Sequence, residues 1–297
     1  MFYYSAFGLI IKSELKLPRL AETQTVSADV KIKLGKVDTH GLAEASFIKE
    51  NLQLTSNTLW LQVPDIARFL VTDGMEVIVE PEQAADMQSV CLYILGSCIG
   101  AIMHQRNQLI LHGNAIRIGD KSIIFVGASG KGKSTLAAAF YQRGYEILAD
   151  DLAVIDSQNR VLPSYPQIKL WKDSADQMAI NTSDLERIRL QISKYNYPIE
   201  AGFCKIALPV NTIYVLHTHD KEEFLFEEVY GLHKMPIIRN QTYRLGYVKA
   251  PQTQKAHLAN CARIAQKIRV VRVTRPERGF KLQELIERII EDVKVKK

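Results

Sequence analysis

Cysteine and long apolar runs are both scarce in this chain. Its 297 residues include four cysteines, and their spacing matches neither a zinc site nor a disulfide framework. The longest apolar stretch, Val90–Met103, has 14 residues, whereas a membrane-spanning helix needs roughly 20. The sequence therefore predicts a reduced, cytoplasmic protein with no membrane partner, and a buried helix at this stretch.

A large excess of one charge sign and a targeting signal are also missing. The chain has 38 Lys and Arg against 32 Asp and Glu, a net charge of +6 that is spread along its length. Such a modest excess does not predict a nucleic-acid partner. No cationic segment precedes the apolar residues of Met1–Gly8, so we expect no signal peptide. With 47% hydrophobic and 24% charged residues, the composition excludes a disordered chain.

The length favours about two domains, and the pattern changes near residue 105. Residues 1–105 are predicted to form a small β-rich domain with a connecting helix, and residues 106–297 a second domain. In the first domain we expect strands at Gly8–Lys12, Val30–Leu34, Leu59–Val63 and Glu76–Glu80, with Asp73 and Gly74 turning between the last two, and a helix from Glu82 to about Gln105.

Two of these strands, Gly8–Lys12 and Val30–Leu34, are predicted to lie at exposed sheet edges. A free strand edge offers main-chain hydrogen bonds to an extended peptide without demanding much of its sequence. The first domain is therefore a candidate peptide-presenting unit. A structural cap or an oligomerisation unit is the alternative, which leaves a homo-oligomer open.

The second domain carries a clearer succession of elements. Leu109–Ile118 and Lys121–Val126 predict a hairpin around Gly119 and Asp120. Further elements are expected as strands at Glu146–Ala149 and Leu152–Ile155, a helix at Lys133–Arg143 that stops at Gly144, and an amphipathic helix at Leu282–Val293.

The strongest motif follows the hairpin directly and opens the first helix of this domain. It fits G-x-x-x-x-G-K-[ST], the phosphate-binding loop, and consists of Gly127, Ala128, Ser129, Gly130, Lys131, Gly132, Lys133, Ser134 and Thr135. Backbone N–H groups of such a loop point at phosphate oxygens, and the helix N-terminus adds partial positive charge. Lys133 is predicted to reach the β- and γ-phosphates, and the Ser134 hydroxyl to ligate Mg²⁺.

Two adjacent carboxylates, Asp150 and Asp151, follow Lys133 by 17 and 18 positions. A strand after the helix would bring both to the phosphate edge of the sheet. Because neighbouring strand residues point to opposite faces, they cannot do the same job. One would lie near Mg²⁺ or act as a base and the other would support it; a plain polar turn is the alternative. His112, in the strand paired with the one before the loop, is a further candidate, or simply a core histidine.

Together these elements resemble HPr kinase/phosphorylase. The resemblance rests on Leu111–Gly113, Gly127–Ser134 and Arg143–Asp151, whose order and spacing match that family. It implies an α/β fold whose C-terminal domain is of the phosphoenolpyruvate-carboxykinase-like P-loop type.

The same resemblance implies roles for individual residues. His112, Lys133 and Asp151 would be catalytic, and Ser134 would hold Mg²⁺. Asp150 would support Asp151, and either carboxylate could also contribute to the metal site. The phosphoryl donor would be ATP or GTP, since no base-binding motif distinguishes them.

One subgroup is more similar than the rest. The signature loop Glu-[Ile/Val]-Arg-Gly-x-Gly of true HPr kinases is absent after Asp151, where the chain has Tyr165–Asp176 instead. Tyr4–Pro18 and Arg239–Arg244 are similar to HPr-kinase-like proteins of lasso-peptide biosynthesis, which phosphorylate the C-terminal serine of a precursor peptide. Arg244 is our candidate for a cation opposite the loop.

The resulting hypothesis is a Mg²⁺-dependent serine kinase that acts on a peptide or small protein. An HPr serine kinase, a small-molecule kinase or an ATPase on the same core are the alternatives. The molecule that receives the phosphate distinguishes these classes: a peptide, a metabolite or water.

Overall fold

The computed structural model describes residues 1–25, 27–189, 192–279 and 281–295. Over these residues the chain is a mixed α/β protein with a nine-stranded sheet, an eight-stranded sheet and a two-stranded hairpin. The nine-stranded sheet lies within residues 2–81, and the eight-stranded sheet begins at residue 109. Division into two domains near residue 105 stays a prediction.

The first sheet is mostly antiparallel. Its strands are β1 (Phe2–Ala6), β2 (Leu9–Ser13), β3 (Ala21–Glu22), β4 (Val30–Leu34), β5 (Phe47–Lys49), β6 (Leu52–Leu54), β7 (Thr58–Val63), β8 (Ala67–Thr72) and β9 (Glu76–Pro81). They lie in the order β3-β1-β2-β4-β9-β8-β7-β6-β5, with β4 parallel to both of its neighbours.

The two strands predicted at free edges are interior. β2 pairs with β1 and β4, and β4 pairs with β2 and β9, so both sides of each strand are occupied. The prediction of exposed edges at Gly8–Lys12 and Val30–Leu34 is therefore wrong. The edges are instead the two-residue β3 and the three-residue β5. Alternation in the sequence reveals that a segment is a strand but not which distant strand pairs with it.

The predicted turn at Asp73 and Gly74 is real but joins different strands. Both residues have positive φ, 54° and 65°, as the central residues of a primed β-turn require, and the N–H of Met75 donates to the Thr72 carbonyl at 3.0 Å. The turn connects β8 to β9, because the structure has β8 where the sequence analysis expected no strand. The expectation that it joins Leu59–Val63 to Glu76–Glu80 is corrected accordingly.

The apolar segment after the first sheet is one continuous helical rod. It consists of α1 (Met87–Tyr93), a π-helical turn (Ile94–Cys98) and α2 (Ile99–Gln105). It starts later than the predicted Glu82 because the Asp86 carboxylate caps it, accepting hydrogen bonds from the next-turn amides at 3.0 Å. In the described part of the chain it is the one helix long and apolar enough to span a membrane, and 78% of its apolar window is buried within the protein.

The second sheet is built around two long strands. Its members are β10 (Leu109–Ile118), β11 (Lys121–Val126), β12 (Ile147–Ala149), β13 (Leu152–Ile155), β14 (Arg160–Leu162), β17 (Leu208–His219), β18 (Leu225–Val229) and β19 (Arg269–Pro276), and the separate hairpin consists of β15 (Gln167–Trp171) and β16 (Lys194–Pro198). The predicted β10–β11 hairpin and the strands β12 and β13 are confirmed. β10 changes partner along its length: Leu109–His112 pair with β13, and Gly113–Ile118 pair with β11.

The remaining helices lie around this second sheet. They are α3 (Lys133–Gln142), α4 (Lys172–Gln177), α5 (Lys234–Asn240), α6 (Pro251–Lys267) and α7 (Leu282–Val295). α3 ends just before Gly144, whose φ of +84° terminates the helix as predicted. α7 buries the apolar face that its spacing predicts, with Leu285, Ile286 and Ile289 almost fully covered.

One apolar core joins the first sheet, the helical rod and part of the second sheet. Phe7, in the β1–β2 turn, packs edge-to-face on Tyr165 with ring centroids 5.9 Å apart. Its backbone N–H donates to the Pro163 carbonyl at 2.7 Å. All four cysteines are free and buried, in agreement with the predicted absence of disulfides.

Close approach of β10 and β11 makes Gly113 sensitive to substitution. A Cβ atom there would lie 2.3 Å from the Phe125 carbonyl oxygen. We expect Gly113→Ala to destabilise the protein by about 1–3 kcal/mol, since backbone must move to relieve the overlap. Gly246→Ala is the matched control, because a Cβ there has no neighbour within 4 Å. Urea unfolding midpoints measure both; equal midpoints would contradict the close approach.

Candidate functional site

The phosphate-binding loop connects β11 to α3, in the strand–loop–helix setting that its motif requires. Gly130 and Gly132 have φ of +81° and +87°, a conformation that favours glycine. Gly132 is the N-cap of the ten-residue α3, so the positive end of that helix faces the loop. The Lys133 ammonium lies back across the loop and donates to the carbonyl oxygens of Gly127 (2.8 Å) and Ala128 (3.2 Å).

Asp150 is buried behind the loop and contacts it directly. One carboxylate oxygen accepts hydrogen bonds from the Ser134 hydroxyl, at 3.2 Å, and from the Asn114 amide. The other oxygen accepts from the backbone N–H of Lys169 at 2.8 Å. Burial, together with the nearby charge of Asp151, raises the pKa of Asp150 above its usual range.

Asp151 lies at the centre of a tight turn between β12 and β13. Its φ is +65°, and the N–H of Leu152 donates to the Asp150 carbonyl at 2.8 Å, which closes a three-residue turn. Turns of this kind are strained for residues other than glycine and cluster at functional sites. The turn sends the two carboxylates to different partners, as the sequence analysis expects of adjacent strand residues, although the backbone there is no longer a regular strand.

Lys169 is the main partner of Asp151. Its ammonium lies 2.8 Å from the Asp151 carboxylate, and the two side chains are 7% and 19% exposed. Burial alone would raise the pKa of Asp151, but the ammonium groups of Lys169 and Lys194 outweigh it and lower that pKa. Asp151 therefore carries its charge at neutral pH. The same pairing outweighs burial at Lys169 and raises its pKa.

His112 lies at the residue where β10 changes partner. The backbone N–H of His112 donates to the Gln241 carbonyl at 2.8 Å, and its imidazole ring packs edge-to-face on Tyr243. Nε2 lies 4.0 Å from the Asp151 carboxylate. Burial, followed by the charge of Lys133, lowers the pKa of His112. The imidazole is thus neutral at pH 7 and faces the carboxylate.

Two cavities meet at the phosphate-binding loop. The larger, about 320 Å³, is lined on one side by Gly130, Lys131 and Gly132 and on the other by Arg275, Phe224 and a face of α7. The smaller, about 90 Å³, is lined by Ser129, Gly130, Gly132, Lys133 and Ser134 and also by His112, Asp151, Trp171 and Lys194. The two cavities share Gly130, Gly132, Thr135 and Ser174, so a larger, partly apolar space adjoins a smaller, charged one at the loop.

The structure brings together all predicted catalytic residues except Arg244. Arg244 stacks on the rings of Tyr243 (5.5 Å) and Tyr247 (5.6 Å) and lines neither cavity at the loop. Its link to the site is indirect, because Tyr243 packs on His112. A catalytic role for Arg244 stays a prediction.

Sequence reasoning missed several residues of the site. Lys169, Lys194, Asn114 and Arg275 all contact the loop or its carboxylates, or line the cavities. One signal was available: Lys169 stands between apolar residues within the strand β15, and a lysine in a buried strand implies an acidic partner. The others are brought close only by the fold.

The donor set at the loop fits magnesium. Among the described residues, no group of three or more His, Cys, Asp or Glu side chains could enclose a metal ion. Mg²⁺, however, is usually held by one or two protein oxygens together with phosphates and water. The Ser134 hydroxyl beside the Asp150 carboxylate, 3.2 Å apart, is such an oxygen pair.

Comparisons with known proteins identify no family. No protein-family profile matches the chain, and no curated protein matches it. Among solved structures, the HPr(Ser) kinase/phosphatase from Coxiella burnetii aligns over 63% of this chain and 97% of its own, at 17% sequence identity and a TM-score of 0.31. A likeness this weak carries no argument about fold or chemistry.

Lys133 gives the most direct test of nucleotide binding. We expect Lys133→Ala to weaken binding of a nucleoside triphosphate analogue by about tenfold or more, because a buried cation that faces the phosphates is lost. Turnover should fall by orders of magnitude. Lys121→Ala, at an exposed lysine of the β10–β11 hairpin, is the control. Isothermal titration gives both affinities, and unchanged binding by a folded Lys133→Ala protein would contradict the phosphate-loop assignment.

Proposed function

We propose that this chain is a nucleotide-dependent kinase that transfers a γ-phosphate to a serine hydroxyl of a peptide. The observation that carries the proposal is the pair of cavities that meet at the phosphate-binding loop, the smaller of which is lined by the ionised Asp151. The larger cavity suits a nucleoside, the loop suits the phosphates, and the smaller cavity suits a hydroxyl acceptor. The two substrates would thus meet at the γ-phosphate, as direct transfer between them requires.

Asp151 is the proposed base. In the transfer, the serine oxygen forms a bond to the γ-phosphorus while the bond from that phosphorus to the β–γ bridging oxygen breaks. The serine proton passes to the Asp151 carboxylate, and the products are phosphoserine and a nucleoside diphosphate. Because the transition state is loose, the proton moves late and a carboxylate of low pKa suffices. The neutral imidazole of His112, whose Nε2 lies 4.0 Å from that carboxylate, would orient it by closing to hydrogen-bond distance when the acceptor binds.

The cations and amides of the loop stabilise charge on the phosphates. Lys133 would exchange its hydrogen bonds to the loop carbonyls for bonds to phosphate oxygens. Ser134 and Asp150 would hold Mg²⁺, which when bound neutralises charge on the transferred phosphate. In this division of roles, Asp150, which contacts Ser134, would bind the metal. Asp151, which lines the smaller cavity, would accept the proton of the acceptor.

The acceptor we propose is the C-terminal serine of a lasso-peptide precursor. The support is the sequence resemblance at Tyr4–Pro18 and Arg239–Arg244 together with the small size of the acceptor cavity, about 90 Å³. That space admits the end of a chain more readily than a folded protein surface. The four buried free thiols are consistent with action in the reducing cytoplasm.

Asp151→Asn separates chemistry from binding. We expect this variant to bind the nucleotide nearly as tightly as the wild type but to lose about 10²-fold or more in phosphoryl transfer, because the amide cannot accept the proton. Asp176→Asn, at an exposed aspartate that pairs with Lys172, is the control. Titration with a non-hydrolysable nucleotide and a kinase assay measure the two effects. A parallel loss of binding and turnover would make Asp151 a magnesium ligand instead.

The acceptor class is tested with synthetic peptides. A peptide that ends in serine should gain one phosphate at that residue in the presence of ATP or GTP and Mg²⁺, and its serine-to-alanine counterpart should gain none. Mass spectrometry locates the phosphate. Phosphate on free serine or on metabolites alone, or release of inorganic phosphate without any labelled peptide, would contradict a peptide kinase.

A further inference from the structure

The acceptor-side cavity contains one cation that the proposed chemistry does not use. Lys194, on β16, lines this cavity together with Asp151 and His112. Within residues 1–25, 27–189, 192–279 and 281–295, no ion pair and no hydrogen bond engages its ammonium group. The ammonium lies 5.7 Å from the centroid of the Trp171 ring, and Trp171 is directly opposite Lys194 in the β15–β16 ladder.

The other cations near the loop already have partners or face elsewhere. Lys169 is neutralised by Asp151, and Lys133 lies across the loop. Lys131 donates to the Thr218 hydroxyl at 2.6 Å on the side of the larger cavity. Arg275 also lines the larger cavity, within 3.4 Å of the position that a Cβ on Gly132 would occupy. The nucleotide therefore has its cations without Lys194.

Lys194 is close to the proposed base. Its charge is second to that of Lys169 among those that lower the pKa of Asp151, and it also acts on His112 and Lys133. A serine hydroxyl in contact with Asp151 would place the groups bonded to that serine's α-carbon beside Lys194. An anion there would be stabilised by a charge-assisted hydrogen bond in a partly buried site. The exposed half of the Trp171 ring would cover the adjoining apolar part of the peptide.

We propose that Lys194 binds the terminal carboxylate of the acceptor peptide and so selects a C-terminal serine over an internal one. This inference rests on the proposed kinase function and adds a residue-level reason for its acceptor. An internal serine carries a neutral amide at the same position, which leaves the ammonium without its anion. The specificity would thus come from a single charge placed beside the base.

The test compares two peptides of one sequence, one ending in a free serine carboxylate and one in serine amide. For the wild type we expect kcat/KM to be about 10- to 100-fold lower for the amide, the range for a hydrogen bond to a charged group. Lys194→Met should remove the preference, so that kcat/KM is the same for the free acid and the amide. Lys194→Arg should recover part of the preference.

Lys172→Met is the matched control. Lys172 is exposed, pairs with Asp176 and follows β15 two residues after Leu170, which lines the smaller cavity. It should keep the full preference for the free acid. Affinity for a non-hydrolysable nucleotide, measured in parallel, should be the same for Lys194→Met and the wild type.

Each contrary outcome has a distinct meaning. Equal rates on acid and amide by the wild type would overturn the role of Lys194 while leaving the kinase function intact. A loss of nucleotide affinity in Lys194→Met, in step with its loss of activity, would assign Lys194 to the phosphates and overturn the inference. Failure of the wild type to phosphorylate either peptide, with nucleotide binding preserved, would overturn the proposed function itself.

Discussion

The buried ion pair between Lys169 and Asp151 is the interaction on which the candidate site depends. It ties the strained turn after β12 to the hairpin strand β15, and both lie next to the phosphate-binding loop. A buried pair of this kind is costly to break by removal of one partner, about 3–5 kcal/mol, because the remaining charge is left without compensation. The left-handed conformation of Asp151 is maintained because the surrounding strands and this lysine hold both ends of the turn.

Lys169 also gives the adjacent carboxylates of Asp150 and Asp151 different environments. Its ammonium binds Asp151, while its backbone N–H binds Asp150. The pKa of Asp151 is lowered and that of the more deeply buried Asp150 is raised. Pairs of carboxylates whose environments separate their pKa values commonly divide acid–base and metal-binding work between them. Here the separation agrees with position: Asp151 lines the smaller cavity at the loop, and Asp150 contacts the loop serine.

Whether a feature could be predicted from the sequence depends on how far apart along the chain the interacting residues are. The loop, the hairpin before it and α3 are encoded within short segments by glycine spacing, a Gly-Asp turn and helix end signals, and all three were predicted. The positions of Lys169 and Lys194 depend on β15–β16, which reaches the loop only through the tertiary fold. The same limit explains the wrong edge assignment of β2 and β4, whose partners are far apart in sequence. The π-helical turn has no sequence signal that we recognise.

The first sheet supports the site from a distance. Because β2 and β4 are interior strands, they do not offer the free edges on which the peptide-presentation hypothesis relied. The packing of the sheet points to a structural role. Phe7 contacts Tyr165 edge-to-face and is anchored to the Pro163 carbonyl. Tyr165 lies two residues before β15 and is close enough to Lys169 and Asp151 for their charges to act on its pKa. The first sheet lines neither cavity at the loop, but its β1–β2 turn contacts the segment that leads into the strand of Lys169, the partner of Asp151.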